Sequence, residues 1–222
     1  STLTFTSANW DTAQTITVTG VDEDLVDGSI SSTITIAVDD ANSDDDFDSV
    51  ADQTLSATTT DDDVAGFTIV ESDGSTEVDE SGTTDTFTIV LDAQPTSDVV
   101  LTIASDDTGE ATVPASVTFT SADWDTPQTI TVTGIDDGTL IDGNQDTMVI
   151  VSIDDANSDD GFDSLEDQTV VVTTTDDDIP EFTVTETDGS TEVAESGTTD
   201  TFTVVLDAQP QTDVVMDIVS SY

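Results

Sequence analysis

The chain has 222 residues, of which 51 are Asp or Glu and none is Lys, Arg or His, giving a formal charge of −51. No side-chain ion pair can form, and repulsion between acids opposes compaction, so bound cations or high salt are the available remedies. Nucleic acid and anionic membranes are excluded as electrostatic partners because both require basic patches.

No run is long and apolar enough to span a membrane, so no membrane insertion is expected. The absence of His, Cys, Lys and Arg removes most pairings of nucleophile and base, and the chain is not expected to be an enzyme. Acidity with few aromatics can signal disorder, but 34% of the residues are hydrophobic and they alternate with a period of two, which is the mark of strands. There is no initiator Met and no signal-peptide pattern; an export signal is expected to lie outside this sequence or to have been removed.

The chain repeats itself. Trp10 corresponds to Trp124, 114 residues on, and Asp61 corresponds to Asp176, 115 residues on. The extra residue lies between VDEDLVDG (Val21 to Gly28) and IDDGTLIDG (Ile135 to Gly143). A unit of this length is the size of one ordinary domain. Residues 1–63 read as the back part of one repeat, 64–178 as a complete repeat and 179–222 as the front part of a third.

Within 64–178, runs rich in Val, Ile, Thr and Phe are separated by Asp, Gly, Ser and Pro. The pattern predicts an all-β fold of tandem immunoglobulin-like seven-stranded antiparallel β-sandwiches. Strand A is expected near 66–70, B at 86–91, C at 98–104, D at 116–120, E at 128–134, F at 147–153 and G at 168–175. Phe87, Ile89 and Leu91 share the inner face of B, and Val99, Leu101 and Ile103 that of C. Met148, Ile150, Val170 and Val172 are expected core from F and G, although those runs are too continuous to fix the face. Trp124, in the D–E loop, is expected to plug one end of the sandwich, with ligand stacking as the alternative. By the same alignment, residues 1–63 hold strands D to G and 179–222 hold strands A to C.

An up-and-down course of seven strands fixes which loops share a pole. The A–B, C–D and E–F loops meet the end of G, which collects Glu80, Asp106, Asp107, Asp136, Asp137, Asp142 and the run Asp176, Asp177 and Asp178. Hard cations such as calcium take six to eight oxygens from carboxylates, carbonyls and water. Convergence of these acids without any internal counter-charge points to several Ca2+ ions per domain junction. The opposite pole carries DDANSDDGFDS (Asp154 to Ser164), whose Asp/Asn/Ser spacing suits either a looser metal loop or a solvated loop anchored by Phe162.

The junction DDDVAGFTIVES (Asp61 to Ser72), the strand running into paired acids in VTGIDDGTLIDG (Val132 to Gly143), and VDESG or VAESG around Glu80 and Glu195 together resemble the Calx-beta domain. The resemblance covers the whole repeat. It implies a calcium-binding immunoglobulin-like sandwich in which Glu80, Asp136, Asp137, Asp142 and Asp176 to Asp178 are ligands. Two features depart from the pattern: Gly138 follows Asp137 where the earlier copy has Asp24, and the C–D acidic ligand has Asp107 as its only candidate.

The two partial repeats make nearly one whole. Either the sequence is a window on a longer tandem array, or the tail of one chain completes the head of the next by strand complementation. In the split domain Glu195 joins Asp22, Glu23, Asp27, Asp61, Asp62 and Asp63. The expected function is that of an extracellular or cell-surface structural protein, a calcium-stiffened filament or adhesin stalk that self-associates head-to-tail or forms a tandem array. The alternatives are a module that binds a glycan or cell surface, and a salt-adapted acidic repeat without metal sites.

Overall fold

The computed structural model describes residues 1–221. Among them strands dominate and no α-helix occurs. The chain divides into two compact units, Ser1–Val64 and Ala65–Tyr222.

The first unit holds one antiparallel hairpin, β1 (Ile30–Ile36) against β2 (Gln53–Thr59). In the second unit the order is β3 (Phe67–Glu71), β4 (Thr76–Asp79), β5 (Thr84–Leu91), β6 (Val99–Ser105), β7 (Ala111–Thr112), β8 (Ser116–Phe119), β9 (Gln128–Gly134), β10 (Leu140–Ile141), β11 (Gln145–Ile153) and β12 (Gln168–Thr175). It continues through β13 (Phe182–Glu186), β14 (Phe202–Leu206) and β15 (Gln209–Pro210). Two sheets form the sandwich, one in the order β4-β12-β11-β6-β8 and the other β3-β5-β9-β7.

All seven expected strands are present, at nearly the expected positions. Strand A differs from expectation. It breaks at Ser72–Ser75, where Gly74 takes φ +87, and its two halves enter different sheets. The first half, β3, pairs antiparallel with β5, and the second, β4, pairs parallel with β12. The sandwich is therefore not wholly antiparallel. The Asp-Gly turn redirects the chain across the open edge, and this places Glu80 beside the end of β12 rather than at the far sheet.

The core is where alternation puts it. Phe87, Ile89 and Leu91 of β5 are buried, as are Val99, Leu101 and Ile103 of β6. On β11 the inner face is Thr147, Val149 and Val151, while Met148 is exposed and Ile150 half-buried. That corrects the expected F-strand core by one residue. The register is set by pairing, with Val149 opposite Val170 and Val151 opposite Ile103, and a shift of one residue turns every side chain to the other face. Trp124 is only half-buried, so it covers the end of the sandwich rather than filling it, and its carbonyl accepts a hydrogen bond from the Leu91 amide at 3.1 Å.

Gly134, the last residue of β9, is where two backbones meet. A Cβ there would lie 2.1 Å from the Asp79 carbonyl oxygen. Only glycine lets the end of β4 pass so close to β9. Gly134→Ala is expected to destabilise the sandwich by about 1–3 kcal/mol, the usual range for forced overpacking, as a lowered urea midpoint at unchanged slope.

Candidate metal centre

The pole at the end of β12 is built by four chain segments. β4 ends at Asp79 and delivers Glu80, whose amide donates to the Thr175 carbonyl at 3.1 Å. The segment after β9 delivers Asp137 and Asp142, and β12 runs straight into Asp176 to Asp178. The turn before β7 delivers Glu110, held by its backbone: its carbonyl accepts from the Ile135 amide at 2.8 Å and from the Thr174 hydroxyl at 3.3 Å.

Carboxylate oxygens of Glu80, Asp137 and Asp142 all lie within 4.8 Å of one another, and so do those of Glu80, Asp176 and Asp178. Glu80 belongs to both groups. It is 1% exposed, and neither of its carboxylate oxygens has a hydrogen-bond partner. Buried oxygens of Glu110, Asp142 and Asp178 are likewise unpartnered. A buried charge without a partner is strongly unfavourable. Here several point the same way, in a chain with no basic side chain to answer them.

The electrostatic consequence falls on Glu80. Burial first, then the neighbouring Asp137, Asp176 and Asp142, push its carboxyl from the ordinary 4.5 up to about 7, and the nearby Asp177 backbone amide, which does not reach hydrogen-bonding geometry, offsets this only in part. Glu110 is raised by burial and by Asp142, Asp107, Asp137 and Asp176. Asp178 is raised by burial and by Asp176 and Asp177. Oxygens so placed suit a hard divalent cation, which accepts only oxygen donors and supplies the missing positive charge.

Asp176 is also an organiser. One oxygen accepts from the Gly143 amide at 2.7 Å and the other from the Asp178 amide at 2.8 Å. The first bond ties the β9–β11 loop to the end of β12, and the second folds the triple aspartate into a tight turn. That turn is why alternate residues, Asp176 and Asp178, join the cluster while Asp177 is exposed and outside both groups. Asp136 is outside them too: it is exposed, and it accepts from the Gly138 amide at 2.7 Å. Asp106 accepts from the Met148 amide at 2.8 Å and Asp107 from the Gly109 amide at 2.9 Å. The C–D acid that faces the cluster is Glu110, not Asp107. Sequence reading missed it because TGEAT breaks the strand alternation and gives no motif; its place three residues beyond Asp107, at the start of a short strand, was the available signal.

The first unit repeats this organiser. Asp61 accepts from the Gly28 amide at 2.6 Å, the Asp27 amide at 3.2 Å and the Asp63 amide at 2.9 Å, and these bonds hold its carboxyl below the usual range. Glu23, although exposed, is raised by some loss of hydration and by Asp27, Asp61, Asp63 and Asp24, and Asp63 by partial burial and by Asp61, Asp62, Asp24 and Asp22. Glu195, the counterpart of Glu80, is exposed.

The opposite pole is different. Asp159 is buried, but it accepts from the Thr96 hydroxyl at 2.5 Å, the Ser97 amide at 2.7 Å and the Gly161 amide at 2.9 Å. Burial raises its carboxyl, yet these donors outweigh it and hold the group below the ordinary value. Phe162 is buried and pins the loop. Asp159 and Phe162 thereby organise the Asp154 to Ser164 loop from within, while one buried oxygen of Asp163 has no partner and burial, Asp155, Asp160 and Asp159 raise that carboxyl.

No family model matches the chain, and no curated protein does. Solved structures with some likeness include SSP-19, an MSP-domain protein-like family member of Caenorhabditis elegans, at 14% identity over 48% of this chain and 97% of that one, TM-score 0.33. Domains 1–6 of the surface layer protein SbsC match at 15% identity over 70% of this chain and 24% of that one, TM-score 0.35. The E. coli chaperone DraB matches at 7% identity over 54% of this chain and 59% of that one, TM-score 0.36.

The Glu80 shift sets a pH dependence. The folded form binds the Glu80 proton more tightly than the unfolded form, so folding favours protonation. In chelator and constant salt, stability is expected to be greatest below pH 4.5 as far as Glu80 is concerned, and to fall by about 3 kcal/mol as pH rises to about 7. Glu80→Gln is expected to abolish that fall in urea unfolding curves taken across this range.

Proposed function

We propose that the protein is a structural repeat of an extracellular or cell-surface assembly, whose domain ends are stiffened by calcium. The observation that carries this is Glu80: a buried carboxylate without a hydrogen-bond donor, shared by two acidic groups, in a chain that contains no base. Glu80, Asp137 and Asp142 would hold one ion, and Glu80, Asp176 and Asp178 a second, with Glu110 beside them. Calcium supplies the positive charge that this pole lacks and draws carboxylates from separate loops into one shell.

The role in stiffness comes from where these acids sit. Asp176 to Asp178 form the exit from the sandwich, and β13 begins only four residues later. The run is held by the Gly143–Asp176 bond and its own tight turn. When repulsion among the cluster is neutralised, the exit has one preferred direction. When it is not, the carboxylates drive the loops apart. Extracellular calcium modules bind in the range of about 10⁻⁴–10⁻³ M, which matches ions drawn from the surroundings rather than from a cell interior. A purely structural part also suits a chain without His, Cys, Lys or Arg.

The test separates calcium from salt. At constant high ionic strength, calcium chloride is expected to raise the melting temperature of the protein and a chelator to reverse it, because a ligand that binds only the folded state stabilises it. Glu80→Gln and Asp178→Asn are expected to remove most of the calcium-dependent increase while leaving the salt response. An unchanged melting temperature in calcium would leave salt adaptation as the explanation of the acidity.

A further inference from the structure

We infer that the outer face of the sheet β3-β5-β9-β7 binds ice, through two columns of threonine that stand opposite one another on β5 and β9. The face lies in the middle of the complete sandwich, and its role is independent of the calcium reading.

Strand pairing builds the grid. β5 and β9 are antiparallel, with Thr84 opposite Thr133, Thr86 opposite Thr131 and Thr88 opposite Thr129. Phe87, between Thr86 and Thr88, is buried, and so are Ile130 and Val132 between the threonines of β9. Alternation therefore turns all six threonines outward. Thr84, Thr129 and Thr131 are exposed, and the other three are half-buried. Strand spacing sets the two columns about 4.8 Å apart, and two residues of strand rise set successive rungs about 6.8 Å apart. β7 widens the first rung, because Thr112 lies opposite Thr133.

This face carries no charge. Acids make up 23% of the chain, yet every outward position of β3, β5, β7 and β9 is Thr or Val. The outer face of the other sheet carries exposed Glu77 on β4 and exposed Asp146 on β11. The two faces also differ from repeat to repeat. The six threonines recur as Thr15, Thr17 and Thr19 in the preceding repeat and as Thr199, Thr201 and Thr203 in the following one. On the other sheet the outward Met148, Ile150 and Val171 correspond to Thr33, Thr35 and Ser56. Strand propensity favours Val, Ile and Thr alike, so it does not account for a grid that keeps threonine at each of these positions.

The chemistry of the grid selects its occupant. Among the described residues no hydrogen-bond partner is found for the hydroxyls of Thr84, Thr86, Thr129, Thr131 or Thr133, so each is left to water. Threonine is branched at Cβ and its χ1 is restricted, which holds methyls and hydroxyls in place before any ligand arrives. Water oxygens on the prism faces of ice repeat at similar spacings in two directions. The hydroxyls can join that lattice and the methyls can sit in its open cages, while no ionised group on the face orients water around itself instead. A polysaccharide fits less well, since none of the outward residues is an aromatic ring on which a sugar could stack. A second copy fits less well again, because it adds another formal charge of −51 and strips the hydroxyls of water.

The test grows ice slowly from a solution of the full chain in dilute calcium chloride and reads the protein taken into the ice by its tryptophan absorbance. The unaltered chain is expected to be incorporated and to shape the crystals into facets. Thr86→Tyr and Thr131→Tyr, each of which raises a bulky ring above the grid, are expected to abolish both effects. Thr131 is exposed, so its substitution is expected to leave the melting temperature unchanged. Thr169→Tyr, at an exposed position on the outer face of the other sheet, is expected to enter ice as the unaltered chain does. Exclusion of the unaltered chain from ice would overturn the inference, as would incorporation of the Thr86 and Thr131 variants at the unaltered level, or an equal loss in the Thr169 variant. The melting response to calcium, measured on the same samples, decides the metal reading separately.

Discussion

The constraint on which this molecule depends is a buried carboxylate that its own chain cannot neutralise. In ordinary proteins an acid pulled into the interior meets an arginine, a lysine or a row of backbone amides. The first two are absent here, and at Glu80 neither oxygen has a donor. Burying an unsatisfied charge works against folding by several kcal/mol, so the stability of this pole depends on what the medium provides. The remainder of the fold is conventional: alternating strands, a core of Val, Ile, Leu and Phe, and registers set by pairing.

The two poles differ in how their most deeply buried acid is satisfied. Both carry runs of aspartate in loops. At the far pole Asp159 is as buried as an acid can comfortably be, and hydroxyl and amide donors satisfy it. At the near pole backbone donors are spent on Asp176, which organises the turn, and the oxygens that face inward receive none. For Asp159 and Glu80 the difference lies in where the amides point, while Asp163 at the far pole keeps one buried oxygen without a partner.

Much of this was legible in sequence, and the failures have physical causes. Period-two alternation located the seven longer strands of the complete sandwich but not the short β4, β7 and β10, and counting strand directions placed Glu80, Asp137, Asp142, Asp176 and Asp178 at one pole. Adjacent acids could not be sorted in that way. Whether Asp136 or Asp137, Asp177 or Asp178, faces inward is decided by tight turns that a hydrophobic pattern does not encode. The continuous apolar run of β11 hid its register, which only the partner strands fix. The sheet switch at Gly74 was hidden because a turn within strand A resembles a turn between strands. Glu110 was hidden because its neighbours give no alternation.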